Sequence, residues 1–268
     1  MFVDKEREIR IMGIVNLTDD SYYAASRCAG VEAALRRMET MLEEGADIID
    51  VGACSTRPGA FPVGQEEEWS RLAPVLGAAK ERWPGLRLSI DTFWSSVVRK
   101  AFDLAGDFIV NDISAGEDDP DMLRTVGELG LTYVAMHKRG NPRTMQEMTD
   151  YQDVTTAVSD YFDKFALKAE NAGIKDWILD PGFGFAKTAG QNYELMRNLS
   201  EFRRFGRPVL VGVSRKSMVY RTLDITPEES LPATQALHMK ALCNGADVLR
   251  VHDVREARQT VSLFHFLR

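Results

Sequence analysis

Apolar residues return along this chain in two alternating rhythms: short continuous runs, and longer segments in which they recur every three or four positions. The short runs at 9–15, 48–51, 86–91, 108–111, 132–137, 177–179, 208–213 and 248–252 predict β-strands. Between them the spacing predicts helices. The first covers 31–44, with Ala34, Leu35, Met38, Met41 and Leu42 at helical spacing, and the second starts at Glu66-Glu67-Glu68. Others follow at 94–104, 122–129, in a long segment to about 172, at 193–205, at 230–244 and at the C-terminus. In the third strand Ser89 and Asp91 share one face and Leu88 and Ile90 the other, because side chains alternate along a strand. Gly-Ala-Asp at 45 and 245, with Ala-Gly-Asp at 105, marks helix-to-strand junctions in phase with the repeat. Eight βα units in about 250 residues predict an α/β fold, a single (β/α)8 or TIM barrel over 1–268. A doubly wound sheet shares the same alternation.

Composition narrows the function classes. With 33 basic and 40 acidic side chains the net charge is −7 and no basic tract stands out, so a nucleic-acid footprint is not expected and an anionic ligand would need a local cluster of cations. Cys28, Cys54 and Cys243 are far apart with neither CxxC nor Cys/His spacing, which fits a reducing cytoplasm and no zinc site. The charged start MFVDKEREIR lacks a signal-peptide core, and no apolar run approaches the roughly 18 residues of a membrane span. A soluble cytoplasmic protein without a membrane partner is expected.

Chemistry gathers where strands end. DPGFGFAKT (180–188) puts a carboxylate, an aromatic and a lysine behind the run Trp177-Ile178-Leu179, in a loop that Pro181 opens and that Gly182 and Gly184 let bend. A phosphate loop is excluded, since GxxxxGK[ST] needs glycine where Pro181 and Ala186 stand. The other strand ends carry Asn16, Thr56 with Arg57, Asp91, Asn111, His137, Ser214 to Ser217, and Arg250 with His252. In a barrel these ends build the active site. Asp91, Asn111, Asp180 and Lys216 offer donors and acceptors to the edge of a heterocycle, with Met136 and Phe185 as apolar cover. Arg250 and His252, two apart on one strand, face the same side and with Arg57 suit a diphosphate, with Asn16 as a candidate holder of a divalent ion. A hydroxyl and free backbone N–H groups at Ser217 suit a carboxylate. His137, closing an apolar strand, reads as a structural residue.

These motifs resemble the dihydropteroate synthase family over nearly the full length: MGIVNLTDDS (12–21), IIDVGACSTRPGA (48–60), SIDTF (89–93), VNDISAG (110–116), MHKRGNP (136–142), DPGFGFAKT (180–188), VGVSRKS (211–217) and LRVHDV (249–254). The resemblance implies a (β/α)8 barrel, usually a homodimer, that joins 4-aminobenzoate to a dihydropterin diphosphate and releases diphosphate in the presence of Mg2+, a step of folate biosynthesis. Carried over by motif, Asp91, Asn111, Asp180 and Lys216 hold the pterin, with Met136 and Phe185 lining its pocket and Gly212 as a further substrate contact. Asn16 takes the magnesium, and Arg250 and His252 the diphosphate. Thr56, Arg57, Lys187 and Ser217 shape the aminobenzoate side. Catalysis falls to Asp91, Asp180, Lys216 and Arg250.

The chain departs from the family pattern in two places. The first loop usually reads NxTPDSFSDGG, and its proline, later acid and glycine pair are replaced here by Asp19, Ala24, Ala25 and Ser26. Cys54 replaces the acid before Ser-Thr-Arg and reads as a packing variant, because the implied chemistry needs no nucleophilic enzyme group. Two other functions share this barrel: a pterin-binding methyltransferase, which would lack the Ser-Thr-Arg and Arg-x-His set, and a non-catalytic pterin-binding barrel.

Overall fold

The computed structural model describes residues 8–17, 30–54, 63–140, 144, 145 and 147–267. The elements in chain order are β1 (Arg10–Asn16), α1 (Val31–Glu43), β2 (Ile48–Gly52), α2 (Gln65–Arg82), β3 (Leu88–Asp91), α3 (Ser95–Ala105), β4 (Ile109–Asp112) and α4 (Met122–Leu129). There follow β5 (Thr132–Met136), α5 (Val154–Asn171), β6 (Trp177–Asp180), α6 (Ala189–Arg197), β7 (Leu210–Val211), α7 (Ser217–Leu223), α8 (Leu231–Cys243), β8 (Val248–Val251) and α9 (Val254–Phe266).

All eight strands pair in parallel in the order β6-β5-β4-β3-β2-β1-β8-β7. The ends of that list meet through a parallel bridge between Leu179 and Val209, where the Leu179 N–H donates to the Pro208 carbonyl at 2.9 Å. The sheet is therefore a barrel and not a doubly wound sheet, with its weakest seam at β7. That strand is shorter than the predicted 208–213 at both ends, and at its start Pro208 has no N–H to give.

The register sorts the interior into layers. Met12, Ile48, Ile109, Val134, Ile178, Leu210 and Val248 form an apolar floor, one side chain from each of seven strands. Two residues further along, the inward positions are Asp50, Asn111, Met136, Asp180, Gly212 and Arg250; on β3 they are Ser89 and Asp91. Outward positions such as Ile11, Ile49, Ile90, Val110, Leu179 and Leu249 join the helices in the main core, where α1 buries Ala34, Leu35, Met38 and Met41 as its spacing predicts.

Two details differ from the sequence expectation. The predicted helix 193–205 is α6, begun four residues earlier by a capping box between Thr188 and Gln191, followed by a separate 3-10 turn at Leu199–Phe205. A further short helix, α7, lies between β7 and α8, so the described residues hold nine α-helices and not eight.

The floor makes a stability prediction. Leu210 is fully buried there, so Leu210→Ala should cost about 2–5 kcal/mol in chemical denaturation with an unchanged slope, since it removes packing and leaves a cavity.

Candidate active site

The inward layer above the apolar floor contains a network that strand parity builds. Asp50, in the middle of β2, accepts from Ser89 Oγ at 2.6 Å, from Asn111 Nδ2 at 3.1 and 3.3 Å, and from Arg250 Nε at 2.7 Å. Arg250 extends its other arm to Asp91 Oδ2 at 2.7 Å. One guanidinium thus ties together β2, β3 and β8, and Asn111 adds β4. Gly52 makes the close approach possible: a Cβ there would lie 3.2 Å from that of Asp91. Burial pushes the Asp91 carboxyl up to about 7, with Arg250 pulling it down and Asp50 pushing it up. Burial alone would lower the Arg250 guanidinium, but Asp50 and Asp91 outweigh it and hold the charge more firmly.

Sequence reasoning placed Asp91, Asn111 and Arg250 at the mouth but assigned Arg250 to a different group from the other two, and it missed Asp50, which joins them. Its signal was present: a carboxylate inside the apolar run Ile48 to Val51, on the face that points into a barrel.

Across the mouth stands the β6 loop. Asp180 accepts from the Gly182 N–H at 2.8 Å, and burial raises its carboxyl against the pull of Lys216. Gly182 has φ +71°, and a Cβ there would fall 1.9 Å from the His137 carbonyl oxygen, so only glycine lets the loop close on β5. Lys187 turns back into this loop. Its Nζ donates to the carbonyls of Gly182 at 2.9 Å and Phe185 at 3.0 Å and lies 3.0 Å from His137 Nδ1. Burial lowers Lys187 to about 7, and burial followed by Lys187 itself lowers His137 to about 2. His137 is a neutral packing residue between Tyr151 and Tyr161, matching its structural assignment.

Lys216 donates to the Phe183 carbonyl at 2.5 Å and sits 4.7 Å from the Phe185 ring centre, lowered to about 8 by burial against the opposing charge of Asp180. Met136 packs with Phe93 and Ile113 into an apolar wall that Phe185, Cys54 and Trp94 complete. A Cβ at Gly212 would reach van der Waals distance of Arg250 and Lys216, at 3.9 and 4.0 Å. The Cys54 thiol is pushed up to about 12 by burial, so it is not a nucleophile.

The third side is cationic. His252 meets Ser214 Oγ through its backbone N–H at 3.2 Å and its ring at 3.0 Å. Burial, then Arg250, Arg215, Arg37 and Lys216, lower its ring to about 3, so it is neutral. Arg215 holds the turn from behind with two bonds to Asp253 at 2.9 Å and one each to the Pro227 and Glu228 carbonyls. Ser217 opens α7 beside Lys216. Asn16 ends β1 opposite Gly52. Among the described residues no three His, Cys, Asp or Glu side chains converge on one point, so a resident metal cage is not found. A single amide oxygen such as that of Asn16 fits a magnesium ion that brings its other ligands as water and substrate oxygens. Thr56 and Arg57, and the first loop with Asp19, Ala24, Ala25 and Ser26, lie outside the described residues.

This arrangement can hold a flat, polar heterocycle between Asp91, Asn111, Asp180 and Lys216, with Met136 and Phe185 covering it. It sets the buried carboxylates Asp91 and Asp180 across from the cations Lys216 and Arg250, a pairing of opposite charges within one site.

Comparison with known proteins places this geometry. A family described as "Pterin binding enzyme" matches residues 12–252. The dihydropteroate synthase of Escherichia coli is 42% identical over 248 residues, covering 92% of this chain and 87% of that protein. The structure resembles that of Yersinia pestis dihydropteroate synthase in a sulfonamide drug complex, with a TM-score of 0.93, 36% identity, and coverage of 99% and 96% of the two chains. It also resembles the Xanthomonas albilineans dihydropteroate synthase with 4-aminobenzoic acid, with a TM-score of 0.88, 36% identity, and coverage of 97% and 93%.

Behind Asp91 the first turn of α2 hides a carboxyl that the network does not use. Glu68 is fully buried; Thr92 lies beside it, yet neither oxygen meets a donor in hydrogen-bonding geometry. Burial raises it to about 7. A buried acid with a raised folded value prefers its proton, so its penalty is absent at acid pH, grows as pH climbs past the unfolded value near 4.3, and is complete above about 7. Glu68→Gln removes that penalty. The variant should gain on the wild type by up to about 3 kcal/mol between pH 5 and pH 8, read by chemical denaturation at each pH. A constant difference across that range would rule out a buried titrating acid.

Proposed function

Because the chain belongs to the dihydropteroate synthase family of pterin-binding enzymes, we propose that Asp91, Asn111, Asp180 and Lys216 hold a dihydropterin diphosphate while Arg250 and His252 receive its leaving group. The protein is a transferase of folate biosynthesis, condensing 4-aminobenzoate with 6-hydroxymethyl-7,8-dihydropterin diphosphate to give 7,8-dihydropteroate and diphosphate.

The chemistry asks for opposite charges in one place. As the carbon–oxygen bond at the pterin methylene breaks, its electron pair leaves with the diphosphate and positive charge grows on the methylene. The aniline nitrogen then bonds to that carbon and gives up a proton to water. Asp91 and Asp180 stabilise the cation, and they act strongly because the barrel interior keeps water away. Arg250 faces the departing anion, with Asn16 as the oxygen ligand of a magnesium ion carried on the diphosphate, which would neutralise part of its charge. Thr56, Arg57 and Ser217 are assigned to the 4-aminobenzoate side, where the weak nucleophile needs positioning more than activation. Lys187 contributes there by shaping the loop from within, since its ammonium is committed to the Gly182 and Phe185 carbonyls. The observation that carries this reading is the opposition, within one ring of strand ends, of Arg250 clamped by two carboxylates and Lys216 beside Asp180.

The assembly assigned is a homodimer through the late helices, supported by exposed Leu223 on α7 and Leu263 and Phe266 on α9. Sedimentation should then give twice the chain mass of 30.1 kDa. We assign the reaction to the cytoplasm; no helix among the described residues is long and apolar enough to cross a membrane.

Purified protein with dihydropterin diphosphate and magnesium should release diphosphate and form dihydropteroate only when 4-aminobenzoate is added. Asp180→Ala and Arg250→Ala should abolish turnover with the fold retained by circular dichroism; near-normal activity in either would refute its assignment. The pH profile of kcat/KM should be a bell. It should fall on the acid side as pH drops below about 7, where Asp91 gains its proton, and on the alkaline side above about 8, where Lys216 loses its charge.

A further inference from the structure

The end of β8 carries more positive charge than its own carboxylates balance. Arg250 is shared between Asp50 and Asp91, and Arg215 is held by Asp253. A third guanidinium approaches from α1. Arg37 is half-buried, and one of its NH2 groups donates to the His252 carbonyl oxygen at 2.6 Å. Its Nε–H is buried with no acceptor. Among the described residues Arg37 forms no ion pair with any carboxylate, and unlike the exposed arginines that also lack one it lies half-buried with its Nε–H out of water. A guanidinium kept partly out of water without a counter-ion costs stability, and the cost falls only when an anion comes near. Nothing in the packing of α1 needs that charge, because the helix buries Ala34, Leu35, Met38 and Met41 and not Arg37.

We propose that Arg37 is a positioning residue for the leaving diphosphate: it pins the His252 carbonyl at the end of β8 and supplies positive charge that an anion in front of His252 neutralises. This rests on the assignment of Arg250 and His252 to the diphosphate. Arg37 acts from behind that site, through the fixed strand end and through its field in a partly dry region, where charges interact more strongly than in bulk water.

The test uses the full chain with Arg37→Gln and Arg37→Lys. Three affinities are read: KM for dihydropterin diphosphate, the inhibition constant of inorganic diphosphate with magnesium, and the inhibition constant of 6-hydroxymethyl-7,8-dihydropterin, which lacks phosphate. In Arg37→Gln the first two should weaken together by about tenfold, while the third and the KM for 4-aminobenzoate stay within about twofold. Arg37→Lys keeps the charge and should recover most of the loss. A purely structural role predicts something different: equal weakening of phosphorylated and unphosphorylated pterins, or Arg37→Lys as impaired as Arg37→Gln. Either result overturns the proposal, as does unchanged inhibition by inorganic diphosphate. Should Arg37→Gln not fold, Arg37→Lys must bind inorganic diphosphate within about threefold of the wild type, and a larger loss would count against a role for charge. A wild type that turns over no substrate would sink the synthase assignment alone, and calorimetric titration of inorganic diphosphate into wild type and variants would still decide the role of Arg37.

Discussion

The interior of this barrel depends on one desolvated pairing. Asp50 and Asp91 are two carboxylates from neighbouring strands, and two such charges so close cannot both stay ionised unless a cation lies between them. Arg250 fills that place with a fork that reaches both, and Ser89 and Asn111 satisfy the remaining lone pairs of Asp50. Removing one member of a buried ion pair leaves an uncompensated charge, at a cost of about 3–5 kcal/mol. Burial raises the Asp91 carboxyl to about 7, and Arg250 restrains that rise.

The apolar floor and the β6 loop make that pairing usable. Seven apolar side chains fill the barrel below it, so the charges of the polar layer interact in a low-dielectric setting. On the far side Lys187 is spent on holding the loop, which frees Lys216 to stand next to Asp180 at the mouth. The two lysines follow neighbouring strands, and their partners set them apart: Lys187 is held by the carbonyls of Gly182 and Phe185, Lys216 by that of Phe183 with the Phe185 ring beside it.

Glu68 and Arg37 extend the same theme outward. Each is an ionisable group kept from water without a partner for all its polar atoms, one behind Asp91 and one behind His252. Unsatisfied buried groups lower stability, and their concentration beside the site is the usual place for such strain to be tolerated.

Much of this was legible in the chain itself. The alternation of short apolar runs with helical spacing determined the βα repeat, and the residues ending those runs determined which groups could meet at the mouth, because strand period and helix period are local properties of the backbone. Parity even placed Ser89 and Asp91 on one face correctly. What local pattern does not contain is partnership. Asp50 could not be seen as the hub until β2 lay between β1 and β3 with Arg250 two strands away, and Lys187 could not be told from Lys216 until the loop had folded over His137. The closure of β6 on β7 through a single bridge, the split of 193–205 into a helix and a tighter turn, and the extra helix at Ser217–Leu223 were likewise decided by tertiary structure. Each of these turns on distances between residues far apart in sequence, and only the closed barrel sets those distances.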